Sequence, residues 1–157
     1  MTRTFNSNAK ITYDPFRGEM SRRTAWWCVG EVDTEITRYC RWWLQRELHI
    51  HLQPPAWDAH ISIVRGEKPD TKYLGIWKKF HKQVLNIKWD HFEIHSQEDK
   101  TNGGTFYWIN VECPDFDKIR EGLGLRTGFK YHITVGRTYE YIPRQPKYRI
   151  TTKTGDM

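Results

Sequence analysis

Two short segments of the chain alternate polar and apolar residues in the same order. Residues 60–63 have the sequence His-Ile-Ser-Ile, and residues 132–135, which lie 72 positions later, have the sequence His-Ile-Thr-Val. Alternation of this kind predicts β-strands, on which neighbouring side chains point to opposite faces. The imidazole and the hydroxyl of each segment therefore share one face, and the two aliphatic side chains share the other. We expect the aliphatic faces to pack in a core and the polar faces to line a cleft.

A different spacing, of three and four residues, predicts a helix before each of these strands. The first helix has Asp33 as its expected N-cap, and the second has Pro114 in its first turn and ends at Gly124. Their apolar stripes are Ile36, Tyr39, Cys40, Trp43 and Leu44 in the first helix, and Phe116, Ile119 and Leu123 in the second. A β-prone segment precedes each helix, at residues 25–30 and 105–111. The plan of strand, helix and His-containing strand thus occurs twice.

This duplication predicts a single α+β domain over residues 1–157, with a bilobal, pseudo-twofold fold. The lobes are expected at about residues 25–66 and 104–138, as two antiparallel-rich sheets around a central cleft with helices outside. The connection between them, residues 71–104, is predicted to contain a third helix over residues 71–86 and then a β-hairpin. The two polar faces should therefore meet across the cleft.

The composition favours a folded protein of the reducing cytosol. With 38% hydrophobic and 15% aromatic residues, including eight Trp, the chain can fill a core. The best Trp candidates for that core are Trp26, Trp43, Trp77 and Trp108. No apolar run approaches the roughly 20 residues of a membrane span. The three cysteines have no metal-type spacing, and Cys28 and Cys40 are expected to be inert core thiols. We predict a cytoplasmic monomer with no membrane partner and no signal segment.

The net charge of +6 is concentrated at the two ends of the chain. Residues 1–23 and residues 137–157 each have five basic and two acidic residues, a net charge of +3, and the middle of the chain is neutral. Such ends are either solvated tails or an electropositive collar that attracts a phosphate-bearing ligand. Arg65 and Arg137 favour the collar, since each follows a motif histidine by five residues, and both are candidate substrate-binding residues.

Two imidazoles and two hydroxyls around one centre suit the chemistry of a phosphodiester. Imidazole titrates at about pH 6.5, so a neutral one can take a proton from the attacking oxygen while a protonated one donates to the leaving oxygen. The hydroxyls can hold the non-bridging oxygens, where charge shifts in the transition state. The candidate catalytic residues are His60, Ser62, His132 and Thr134, with the acid and base roles left open.

Candidate platforms for a nucleobase flank the two motifs. Trp57 precedes the first motif, Tyr131 and Tyr139 flank the second, and Tyr13 lies in the basic N-terminal arm, from which it can close over a ligand. Stacking on such side chains contributes about 1–3 kcal/mol per base. Ordinary core or surface packing explains each of these residues equally well.

A metal site is not expected from the remaining histidines. His49 and His51, and His91 and His95, have spacings that a metal could use. No carboxylate or cysteine stands at a supporting offset from either pair, however. The predicted chemistry therefore needs no metal and no cofactor.

The two His-x-Ser/Thr-x segments, on strands of a duplicated α+β plan, resemble those of the two-histidine (2H) phosphoesterase superfamily. This superfamily includes cyclic phosphodiesterases and RNA 2′,5′-ligase-like proteins, and the resemblance extends over about residues 25–138. It implies a metal-independent phosphodiesterase that acts on 2′,3′-cyclic phosphates, 2′,5′ linkages or cyclic oligonucleotides. The first motif has Ser62 where Thr is commoner. Serine keeps the hydroxyl but lacks the methyl group that stiffens the side chain of Thr.

Two binding functions compete with an enzyme. A non-catalytic module could sequester a nucleotide or an RNA end with the same basic and aromatic residues, although it has no need of two imidazoles, each two positions from a hydroxyl. A general RNA-binding protein would contact many phosphates, whereas the middle of this chain is neutral. The expected partner is thus a nucleotide or a short oligonucleotide, RNA included, and the natural substrate and linkage stay open.

Overall fold

The chain folds as the unit β-β-α-β twice in succession. The computed structural model describes residues 4–16, 24–55, 57–101 and 103–138. The first unit contains β1 (Phe5–Tyr13), β2 (Trp27–Glu31), α1 (Thr34–Leu48) and β3 (His60–Arg65). The second unit contains β4 (Val84–Glu98), β5 (Thr105–Glu112), α2 (Pro114–Gly122) and β6 (Tyr131–Arg137). A 3₁₀ helix (Thr71–Ile76) lies between the two units.

The strands of both units form one antiparallel sheet, in the order β3-β2-β1-β4-β5-β6. The predicted duplication is present, with each unit forming one half of the sheet. The expected two sheets are instead a single one, because β1 pairs with β4 and joins the halves, with Asn8 opposite Asn86. β3 and β6 stand at opposite ends of this order, yet Cα atoms of the two strands come within 8 Å of each other. The sheet therefore curves until its two outer strands are neighbours.

Strand β1 occupies the centre of the sheet, where the sequence indicated only a basic N-terminal arm. Ala9, Ile11 and Tyr13 alternate along it and are buried, whereas the residues between them are more accessible. Tyr13 is 4% exposed and packs edge-on against Trp77 at 4.8 Å. The expectation that Tyr13 closes over a ligand is corrected, because pairing with Cys28 of β2 holds this residue in the core.

The predicted third helix over residues 71–86 is reduced to the single 3₁₀ segment. Lys78 and Lys82 adopt positive φ values of 75° and 71°, which interrupt a helix. Beyond them the chain is already extended, since Val84 at the start of β4 pairs with Lys10 of β1. Long-range strand pairing therefore overrides the local helical spacing.

Both α-helices pack on one face of the sheet and bury most of the predicted apolar positions there, with Tyr39 as an exposed exception. The core includes Cys40 and Leu44 of α1 and Phe116 of α2, with aliphatic residues from both motif strands. Asp33 caps α1 as predicted and accepts a hydrogen bond from the Glu35 backbone N–H at 2.9 Å. Burial raises the pKa of the Cys40 thiol to about 12, in keeping with an inert core residue. Among the described residues, no helix has the length and apolarity to cross a bilayer.

Candidate active site

Both motif strands show the predicted alternation of faces. On β3, Ile61 and Ile63 are at most 2% exposed, whereas His60 and Ser62 are partly accessible. The same alternation on β6 involves His132, Ile133, Thr134 and Val135. Since the four aliphatic side chains belong to one core, the two imidazoles and two hydroxyls lie on the opposite face of the sheet.

Each motif strand contains a β-bulge at the third residue after its histidine. Ile63 is the extra residue on β3, and Val135 is the extra residue on β6, where the pairing with the neighbouring strand shifts register. Each bulge moves the alternation of faces by one position. Arg65 and Arg137, five residues after the histidines, therefore lie on the histidine face, whereas an unbroken strand would turn them away.

Trp27 of β2 forms the floor of the first half of the site. Its indole Nε1 donates to Ser62 Oγ at 3.2 Å, and its ring lies 5.9 Å from the His60 ring. The Arg65 guanidinium is 5.3 Å from the centroid of the same indole, within cation–π range. Trp57 packs edge-on against it at 6.3 Å. Four of the predicted site residues thus surround one Trp that the sequence analysis did not select.

Local hydrogen bonds orient the two polar groups of the first motif. His60 Nδ1 lies 2.9 Å from the Asp58 carbonyl oxygen. Because a carbonyl only accepts, this nitrogen carries the proton, and the lone pair of the neutral ring is then on Nε2. Ser62 Oγ accepts from Trp27, so the hydroxyl proton stays available for a phosphate oxygen. The hydrogen bond from Trp27 therefore fixes the orientation of the Ser62 hydroxyl, which a serine side chain alone does not fix.

The second half of the site is a cavity of about 560 Å³ that contains the second motif. His132 and Thr134 line it together with Trp108 and Phe106 of β5 and His95 of β4. Trp108 stands opposite Thr134 in the sheet, and its ring lies 6.3 Å from the His132 ring. On its other side the indole stacks on His95 at 5.8 Å, with an interplanar angle of 23°. An aromatic surface therefore adjoins the second imidazole.

Polar side chains complete this cavity. Asn110 pairs with His132 across the strands, and its Nδ2 donates to His95 Nε2 at 3.1 Å. Lys130 lines the same space and contributes a positive charge. The cavity thus combines an aromatic surface, hydrogen-bonding groups and a cation, which together suit a base and its phosphate.

Two of the three predicted tyrosines, Tyr13 and Tyr131, lie on the core side of the sheet and not in the cleft. Tyr131 precedes His132 on its strand and so points to the core face, where its hydroxyl donates to Asp117 at 2.7 Å. Burial, together with that carboxylate, raises the pKa of the Tyr131 hydroxyl. The expectation of a substrate contact is corrected for Tyr131 by strand alternation, as it is for Tyr13 by its core position. Tyr139 lies outside the described residues.

Arg137 has a structural contact as well as a place on the histidine face. Its guanidinium lies 4.3 Å from the Phe106 ring centroid, matching the contact between Arg65 and Trp27 in the first half. Its Nη2 also donates to the Gly103 carbonyl and lies 3.4 Å from a carboxylate oxygen of Asp99. Arg137 therefore ties β6 to the hairpin turn between β4 and β5.

The aromatic residues that form the two halves of the site were not predicted from the sequence pattern. Trp108 was expected in the core, because hydrophobicity alone favours burial. The signal that could have placed it is alternation along β5, on which Ile109 and Val111 are buried and Trp108 faces the other way. The same rule would have selected Phe106 and Asn110.

The histidine pair considered for a metal is divided between two environments. His91 is 3% exposed and packs among aromatic rings, including Phe5 and Tyr39, whereas His95 lines the cavity. Within the ranges that the structure describes, no group of three or more His, Cys, Asp or Glu side chains is placed to hold a metal ion.

Comparison with known proteins agrees with this geometry. A family model described as Swiss Army Knife (SAK), 2H phosphoesterase domain, matches residues 32–142. The match covers more than half of the chain and includes both motif strands. No curated protein and no solved structure gives a significant match. The chain therefore belongs to the 2H phosphoesterase family.

Proposed function

We propose that this protein is a metal-independent phosphodiesterase that cleaves a nucleotide phosphodiester by acid–base catalysis with His60 and His132. The substrate class is a cyclic nucleotide, a cyclic oligonucleotide, or a 2′,5′ or 3′,5′ linkage at an RNA end. Ser62 and Thr134 hold the non-bridging oxygens of the scissile phosphate. The proposal is supported most directly by the equivalent placement of the two motifs on one face of a curved sheet, whose outer strands come within 8 Å.

The reaction is a displacement at phosphorus with two proton transfers. The neutral imidazole takes a proton from water, or from a neighbouring ribose hydroxyl, as that oxygen forms its bond to phosphorus. The bond from phosphorus to the departing ribose oxygen breaks, and the protonated imidazole gives that oxygen its proton. The hydroxyls of Ser62 and Thr134 donate to the non-bridging oxygens while their charge redistributes. The first product is a phosphomonoester when water attacks and a cyclic phosphate when ribose attacks.

Aromatic surface beside the second motif supports a nucleotide as the substrate. In this proposal a base stacks on Trp108 within the cavity, and Lys130 is close enough to meet a phosphate. On the first motif, Arg65 supplies a second cation near the reacting centre, and Trp57 offers a partly exposed ring.

The proposal predicts the loss of turnover when either motif histidine is removed. The purified protein would be incubated in EDTA with 2′,3′-cyclic mononucleotides, 2′,5′-oligoadenylate and cyclic di- and trinucleotides, and products read by mass. Turnover should survive EDTA. His60→Ala and His132→Ala should each lower kcat by about a thousandfold or more, and the double variant should lose little further, because both groups act in one step.

An exposed histidine outside the cleft provides the matched control. His51→Ala should retain full turnover, since His51 lies on the surface beside α1. Retention of turnover in either motif variant would contradict the two-histidine mechanism. Tight binding of one panel member without products would instead identify a sequestering module, which is the competing function that the same site allows.

A further inference from the structure

We propose that Arg41 and Arg120 are positioning residues, each of which holds the bulge of the motif strand in the opposite half of the chain. Arg41 belongs to α1 in the first unit, and its Nη1 donates to the carbonyl oxygen of Val135 in β6 at 2.8 Å. Arg120 belongs to α2 in the second unit, and its Nη1 donates to the carbonyl oxygen of Ile63 in β3 at 2.9 Å. The two contacts join equivalent elements of the two units, the helix of one and the last strand of the other.

The carbonyls that receive these arginines belong to the residues on which the site geometry depends. Ile63 and Val135 are the extra residues of the two bulges, which have no partner on the neighbouring strand. They follow the motif hydroxyls directly and determine on which face Arg65 and Arg137 lie. A charged donor on each carbonyl fixes the strand against a helix of the other half, and charge-assisted hydrogen bonds of this kind are short and strong.

The hydrogen bonds of Arg41 to Val135 and of Arg120 to Ile63, called the Arg41 clamp and the Arg120 clamp, differ in rigidity. Arg120 is 2% exposed, and both of its terminal nitrogens bind Glu67, at 2.8 and 2.7 Å. Its Nε also donates to the carbonyl oxygen of Arg126 at 2.6 Å. Arg41 is only partly buried and reaches Val135 from the edge of α1. A change at Arg41 is therefore the less disruptive test of the proposal.

The crossed arrangement makes a prediction that chain connectivity does not. Residues 49–59 join α1 to β3, so a disturbance of α1 that followed the chain would reach His60 first. The clamp instead connects α1 to β6, so loss of the Arg41 donor should disturb His132 and leave His60 in place. Disturbance of the Arg120 clamp should do the reverse.

Imidazole NMR spectra of histidine-labelled protein distinguish these outcomes. The His60 and His132 signals would be assigned with His60→Gln and His132→Gln. In Arg41→Met the His132 signals should shift clearly while the His60 signals stay. In Arg41→Lys the His132 shift should be smaller, because lysine also donates to a carbonyl. The matched control is Arg38→Met, which removes an equal charge from the exposed side of the same helix.

The reciprocal arm uses Glu67→Gln, which loosens Arg120 without removing it. Here the His60 signals should shift and the His132 signals should stay. The proposal would be overturned if the signals of both histidines shift together in one variant, or if neither variant shifts any of them. A shift of His60 in Arg41→Met would overturn it as well, since that pattern follows the chain.

The kinetic part rests on the proposed phosphodiesterase activity, whereas the spectra do not. Arg41→Met should lower kcat about tenfold or more with KM within about twofold, because misplacement of a reacting group by even an ångström costs up to about a hundredfold in rate. A protein without turnover on any substrate would contradict the proposed function and leave the spectral test decisive. An unchanged kcat in an active protein would overturn the positioning role.

Discussion

Trp108 makes the two halves of the candidate site chemically different. It stands on β5 opposite Thr134, and the equivalent position on β2, opposite Ser62, is occupied by Val29. The second half therefore has a broad aromatic surface where the first half has a short aliphatic side chain. Under the proposed function, the base on one side of the scissile phosphate should contribute more binding energy than the base on the other.

Replacement of Trp108 tests this asymmetry. Trp108→Ala should raise KM for a nucleotide substrate about five- to a hundredfold, which corresponds to the roughly 1–3 kcal/mol of one stacking contact. kcat should stay within a few-fold, and Trp108→Phe should lose less. Steady-state kinetics would give both constants, with Trp42→Ala on the exposed surface of α1 as the matched control. An unchanged KM in a stable Trp108→Ala protein would contradict a base at this position.

At the level of single residues, alternation is a local signal and predicted the motif residues well. His60, Ser62, His132 and Thr134 were all placed on the face away from the core, as the structure shows. Trp27 was not found, because its contact with Ser62 joins residues 35 positions apart and depends on the register between two strands. A sequence pattern indicates which face of a strand each side chain lies on, but it does not indicate the register between two strands.

The elements of the second half are held to the first by an ion pair as well as by strand pairing. Arg120 of α2 binds Glu67, which lies just beyond β3, through both terminal nitrogens. These hydrogen bonds hold the pKa of the Glu67 carboxyl below its ordinary value of 4.5. A carboxyl with a lowered folded-state pKa stabilises the fold above its unfolded pKa, and this contribution is lost as pH falls through the folded value.

The stability of Glu67→Gln should accordingly depend on pH. At about pH 7 the variant should be less stable by about 1 kcal/mol, a value reduced for the 37% exposure of the Glu67 side chain. The difference should shrink as pH falls through the lowered pKa of the folded-state carboxyl, because the wild-type carboxyl is then itself protonated. Urea unfolding at several pH values measures it, with Glu35→Gln as the exposed ion-pair control. A difference that is constant with pH would contradict the role given to the Glu67 charge.

Among the elements, those defined by local signals were predicted and those defined by long-range pairing were not. α1 has its capping Asp33 and α2 begins at Pro114, and both helices lie where predicted. β1 was missed, since its strand character depends on partners at residues 28–31 and 84–89. The predicted helix over residues 71–86 failed for the same reason, because β4 extends back to pair with β1.

The net charge of the whole molecule comes mainly from the two ends of the chain. The sequence determines how large this charge is, but not where it lies in space. The neutral middle of the chain contains residues 60–63 and 132–135 and most of the described residues. The two terminal segments, residues 1–23 and 137–157, have the net charge of +3 each. A site of this kind should contact a few phosphates of a small ligand and not a long stretch of RNA.

The salt dependence of binding tests that expectation. With the inactive double variant His60→Ala/His132→Ala, log Kd for a short oligonucleotide should change with log salt concentration by about 1 to 2, since each phosphate contributes about 0.7 for single strands. Titration at several NaCl concentrations, with an uncharged nucleoside as the control ligand, measures the slope. A slope above about 5 would point to an extended RNA-binding surface.

The crossed arginines have a consequence for how the chain is built. Each half contains one motif histidine and one motif hydroxyl, and each half has a bulge carbonyl that accepts a hydrogen bond from the other half's helix. With the seam between β1 and β4 at its centre, the molecule is equivalent to a dimer of two β-β-α-β subunits joined into one polypeptide. Neither subunit is complete alone, so selection on one motif strand acts on the helix of the other, and the two halves must evolve as partners.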